Sequence, residues 1–107
     1  SKEVTMFDIN NDGIPDKIVQ LSICEESRCN RSTVVTQIAI LVGIGKDKYR
    51  LADSQTFGIG ANINSITPSG ELNVEAYGYG NNDPTCCPSI VEKLKYAFRN
   101  EKLVLMN

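Results

Sequence analysis

No long segment of this 107-residue chain shows the period of an amphipathic helix. The chain instead runs in short β-branched and aromatic stretches broken by Gly, Pro, Asn and Asp, which is the pattern of an all-β domain. Asp16 to Cys24 reads as a strand, and 24–32 as a polar hairpin loop. Thr33 to Ile44 follows as a second strand, apolar at Val34, Ile38, Ile40, Val42 and Ile44 and also at Val35, Ala39 and Leu41. Such a strand is expected to be central and covered on both faces. Gly45-Lys46-Asp47 turns the chain into Lys48 to Asp53, and the two glycines of Phe57-Gly58-Ile59-Gly60 weaken a strand or mark a bend. Further strands are expected at Asn62–Thr67, Glu71–Tyr79, Ser89–Phe98 and Lys102–Met106, with Arg99-Asn100-Glu101 closing the last hairpin. In Glu71–Tyr79, Leu72, Val74 and Ala76 face one way and Glu71, Asn73, Glu75, Tyr77 and Tyr79 the other. The expectation is one domain over 1–107, a small antiparallel β-sandwich or curved sheet of about six to seven strands.

The composition removes several functions. Net charge is −2 and Lys and Arg form no run, so there is no electrostatic footprint for nucleic acid. No apolar stretch is long enough to span a bilayer as a helix. The chain has no histidine, so a Ser-His or Cys-His nucleophile pair cannot form. Gly43-Ile44-Gly45-Lys46 lacks the spacing of a phosphate-binding loop. An enzyme is not expected. Cysteines 24, 29, 86 and 87 make an even set with no histidine to complete a zinc site, which favours disulfides and an oxidising compartment. Four cysteines allow three pairings: the local one leaves Cys86–Cys87 as a strained vicinal bridge, and the others join the two cysteine regions.

The stretch Asp8-Ile9-Asn10-Asn11-Asp12-Gly13-Ile14-Pro15-Asp16 carries the chemistry. It places side-chain oxygens at loop positions 1, 3, 5 and 9 and glycine at position 6. A hard cation that takes six to eight oxygens, such as calcium, is wrapped by ligands at alternate positions of a short loop. The expected ligands are Asp8, Asn10, Asp12, Asp16 and the backbone carbonyl of Ile14. The competing reading is an Asx-rich turn whose side chains bond their own amides. Magnesium is less suited because it keeps its waters. The EF-hand is excluded: position 12 of the loop is Val19, and a strand pattern follows instead of a helix. Because the loop runs straight into a strand, a structural calcium is expected over a catalytic one.

This acidic loop and the strand Lys17-Ile18-Val19 resemble the calcium loop of FG-GAP and VCBS-type repeats. Asn82-Asp83-Pro84-Thr85-Cys86-Cys87-Pro88 resembles the NDPxCCP segment of a group of bacterial exported proteins and lipoproteins. With only one such loop, a full propeller is excluded by length. The resemblance implies export to the periplasm or cell surface, with a possible lipid anchor outside this sequence. It also implies the local pairing Cys24–Cys29 and Cys86–Cys87, because the CCP segment occurs in that group without the first two cysteines.

Two functions remain. One is a non-enzymatic, calcium-stabilised binding protein, most concretely an inhibitor or immunity protein for a secreted toxin or hydrolase. Its contact patch is expected at Tyr77, Tyr79, Asn82 and Asp83, on an exposed face. The alternative is a carbohydrate- or envelope-associated module using calcium and stacking tyrosines.

Overall fold

A computed structural model of the chain describes residues 2–24, 34–84 and 87–106. Among these there is no helix, and eight strands form two four-stranded antiparallel sheets. The first sheet runs β1 (Lys2–Phe7), β2 (Asp16–Ile23), β3 (Val35–Gly45), β4 (Lys48–Gly58) in spatial order. The second runs β5 (Ala61–Ile66), β6 (Leu72–Gly78), β7 (Ile90–Arg99), β8 (Lys102–Leu105). Each sheet is a meander, and the two stack as a small sandwich rather than closing into a barrel or propeller.

The core lies between the sheets. Ile18, Ile38, Ile40 and Val42 come from the first sheet, and Ala61, Leu72, Val74, Tyr96 and Leu103 from the second. Phe57 meets Tyr96 edge to face, with ring centroids 6.1 Å apart, a favoured aromatic geometry. Burial raises the Tyr96 hydroxyl pKa, and the Glu92 carboxylate adds to the rise.

Polar side chains of the first sheet also cap both edges of the second. Thr36 Oγ1 accepts the N–H of Ala61 (3.1 Å) and Gln20 Oε1 that of Ile63 (2.8 Å), both on edge strand β5. Asp53 Oδ2 accepts the N–H of Leu103 (2.7 Å) on edge strand β8. Open strand edges invite wrong pairing, and these bonds use them internally.

The alternation expected in β6 holds: Leu72 and Val74 are buried and their neighbours only partly so. The glycine-marked bend is also present. Ile59 (φ 70°) and Gly60 (φ 109°) carry the chain from the first sheet to the second.

Three expectations change. The strand count is eight, because β1 was not anticipated; it is a sheet edge with nearly every residue exposed, so it lacks a buried alternation to read. Strand β4 extends through Phe57-Gly58 instead of stopping at Asp53. Strand β3 lies inside its sheet, as expected, but one face is covered far less than the other: Thr36, Ile38, Ile40 and Val42 are buried while Ala39 and Leu41 are half-buried and Val35 is 39% exposed. The hairpin loop expected over 24–32 falls mostly outside the described residues.

Candidate metal centre

The acidic stretch is the hairpin loop between β1 and β2, entered after Phe7 and left at its partner Asp16. Asn11 (φ 58°) and Gly13 (φ 86°) both adopt left-handed backbone, and glycine does so without steric penalty. The turn folds the chain back so that Asp8, Asp12 and Asp16 converge, with one carboxylate oxygen of each within 4.8 Å of the others.

Five main-chain N–H groups also point at these carboxylates. Asp8 Oδ1 accepts from Asp12 (3.1 Å) and Oδ2 from Gly13 (2.8 Å), while Asp12 Oδ1 accepts from Ile14 (2.8 Å). Asp16 is fully buried, and its two oxygens divide their work. Oδ2 accepts from Ile9 at the loop entrance (2.9 Å) and Oδ1 from Gly43 on β3 (2.8 Å). Asp16 therefore locks the loop to the sheet.

Two residues outside the expected ligand set make this possible. Ile9 is the one apolar residue in the first half of the loop, and its side chain is 7% exposed within the core cluster. It anchors the loop between two acidic positions. Gly43 lies against the loop exit, where a Cβ would stand 2.5 Å from the Pro15 carbonyl oxygen and 2.8 Å from the Ile14 methyl. Only a glycine lets β3 come close enough to donate to Asp16. Ile9 was legible as an apolar residue out of place; nothing in the sequence marked Gly43 over the neighbouring glycines.

The donor set fits a hard dication. Carboxylate oxygens held within 4.8 Å of one another repel when ionised. Neutral amide donors offset part of this, and a cation would remove it. Each carboxylate oxygen carries a second lone pair, so the amide bonds leave acceptor capacity for a metal. Asn10 and Ile14 sit on the exposed turn between the carboxylates and belong to the expected ligand set. The Asx-turn bonds are real, and they shape the carboxylate cluster instead of replacing it.

The other expected site residues lie on the second sheet. Tyr77 and Tyr79 are half-buried and each has a partner, so they are not the freely exposed pair anticipated. Asn82 takes left-handed backbone (φ 69°) at an exposed turn. Asp83 is turned into its own loop: Oδ2 accepts from Gly80 N–H (2.6 Å), Ser89 N–H (2.8 Å) and Ser89 Oγ–H (2.8 Å). The Gly80 bond, then the two from Ser89, hold its pKa below the usual carboxylate range. It acts as a loop staple, which a partner contact would have to share. Neither Cys24 nor Cys87 is a free thiol, and Cys29 and Cys86, which the expected pairing requires, lie outside the described residues.

Beyond Tyr77, residues Asn64, Ser65, Asn73, Lys93, Lys95 and Met106 line an open groove of about 660 Å³ across β5, β6 and β7. The chain matches no protein-family model, no curated protein and no solved structure.

Proposed function

We propose that this chain is a calcium-clipped β-sandwich that works by binding, as an exported inhibitor or immunity-type domain for a secreted hydrolase or toxin. The observation that carries the metal reading is the convergence of Asp8, Asp12 and Asp16 at the end of a hairpin whose exit residue is locked to the next strand. Those three carboxylates, Asn10 and the Ile14 carbonyl would hold the ion. The ion would neutralise the cluster and pin the start of β2; it supplies rigidity, not chemistry. The binding reading rests on the missing histidine, which removes the common nucleophile pairs; its contact patch is proposed around the half-buried Tyr77 and Tyr79. Export is supported by the paired cysteine count, with the local pairing Cys24–Cys29 and Cys86–Cys87 testable by peptide mapping under non-reducing conditions.

Melting in calcium against chelator tests the metal. At a hundredfold excess over the dissociation constant, native-state binding adds about 2.7 kcal/mol, or roughly 10–20 °C for a domain of this size. Asp12→Ala abolishes that increment; a variant that still gains it refutes the site. The partner reading is checked by inhibition of a candidate hydrolase by the purified domain, and loss of inhibition on Tyr77→Ala.

The groove over Asn64, Asn73 and Lys93 favours a second reading, a carbohydrate-binding module, since amides and lysines suit hydroxyl-rich ligands. Glycan binding lost on Asn73→Ala would select it.

A further inference from the structure

The outward face of the first sheet has no covering element among the described residues. Residues opposed across an antiparallel ladder share a face. The register therefore sets Val4, Val19 and Ala39 in one row, and Met6, Lys17, Leu41 and Leu51 in the next. Ser54 completes the first row; Lys2, Leu21, Gln37 and Thr56 form the row beside it, and Ile23 pairs with Val35 beyond them. Leu51 is 60% exposed, Ile23 55%, Met6 51% and Val4 47%. The only charges in these rows are Lys2 and Lys17, in a chain whose net charge is −2. At the end near the acidic loop the face opens into a depression of about 490 Å³ lined by Met6, Ile14, Pro15 and Tyr49 and by the oppositely charged pair of neighbours Lys46 and Asp47. Ile14 is 38% exposed there.

We propose that this face docks onto an anionic lipid surface. Its charge sign is opposite to that of the whole molecule and complementary to acidic headgroups. Its apolar content is aliphatic, whereas protein interfaces draw their energy from Trp, Tyr and Arg. The one aromatic at its border, Tyr49, already has the Lys17 ammonium 4.3 Å above its ring. A second copy laid face to face would oppose lysine rows of like sign, which disfavours self-association. Buried aliphatic area and one or two lysines are the two terms that hold a peripheral protein at a headgroup boundary. The acidic loop lies at one end of the face, so a bound calcium would remove a local repulsion, but the face does not depend on it.

The experiment is sedimentation with phosphatidylcholine vesicles and with mixed phosphatidylcholine–phosphatidylglycerol vesicles, in calcium and in chelator. The protein should partition onto the phosphatidylglycerol vesicles and not the neutral ones, more weakly as salt rises. Lys17→Gln should weaken partitioning by roughly fivefold and Leu51→Glu by more, while Val91→Glu on the opposite sheet leaves it unchanged. Both altered side chains are at the surface, and near-wild-type melting would confirm folding. No partitioning in either calcium or chelator overturns the proposal. So does partitioning indifferent to both face variants. A dimer in solution, or a complex with a hydrolase, that Leu51→Glu dissolves while vesicles remain unbound would assign the face to a protein and overturn it too. Vesicle binding with no calcium effect on melting would leave this proposal standing and remove the metal site.

Discussion

Replacing Gly43 by alanine tests whether the acidic loop is tied to the sheet through Asp16. The new methyl would stand 2.5 Å from the Pro15 oxygen and 2.8 Å from Ile14 Cγ2, closer than non-bonded atoms allow. Strand β3 or the loop exit must move by several tenths of an ångström. Overpacking of this kind costs about 1–3 kcal/mol. The same movement lengthens the 2.8 Å bond from Gly43 N–H to Asp16 Oδ1, inside a site with no solvent exposure. A weakened bond to a buried carboxylate adds about 1–2 kcal/mol. The sum is roughly 2–5 kcal/mol, a drop in melting temperature of about 10–30 °C for a domain of this size. Circular dichroism melts of Gly43→Ala and Gly45→Ala make the comparison. Gly45 is on the same strand, and a Cβ there meets nothing within 4 Å, so its variant should melt close to wild type. If the metal reading holds, Gly43→Ala should also lose part of the calcium increment, because the third carboxylate is displaced. Two variants that melt alike would refute the close approach and, with it, the role given to Asp16.

Thr36→Val keeps the shape of a fully buried side chain but leaves the Ala61 N–H unbonded, so the urea midpoint should fall by an amount equivalent to about 1–3 kcal/mol. Asp83→Asn should flatten the acid side of the stability profile. The folded-state pKa of Asp83 is depressed by its bonds from Gly80 and Ser89, so its contribution is complete above the ordinary carboxyl range and is lost as pH falls through the depressed value. Urea titrations between neutral and acidic pH should show wild type losing stability over that window and the variant losing less. Glu101→Gly should raise the melting temperature by about 2–5 °C, because Glu101 sits at φ 66° in the β7–β8 turn and its ion pair to Arg50 is exposed. A lower melting temperature there would mean that the ion pair outweighs the backbone relief.

The short β-branched runs were enough to place seven of the eight strands, and they failed only where the physics gave no periodic signal. Strand β1 has an unpaired edge and its apolar Val4 and Met6 are exposed, so no buried face marks it as a strand. The face of β3 was misjudged for a related reason. Val35, Ala39 and Leu41 are as apolar as core residues, and no pattern within one strand says that their face is covered only in part among the described residues. Tyr77 and Tyr79 alternate correctly with Leu72 and Val74, but both are half-buried, which alternation within one strand does not reveal.

The candidate metal centre divides the same way. The chain alone determined that Asp8, Asp12 and Asp16 alternate around Gly13, because ligand spacing within one turn is a local property. It also determined the all-β class, since side-chain period is local. Only the tertiary structure decided that Asp16 is held by Gly43 and Ile9, because that contact joins residues 27 apart and exists only when β3 lies beside the loop exit. It alone decided that Asp83 serves its own loop, and that Val4, Met6, Ile23 and Leu51 stay exposed among the described residues. Such facts follow from which surfaces the fold covers, and coverage is set by the stacking of sheets, which no single strand records.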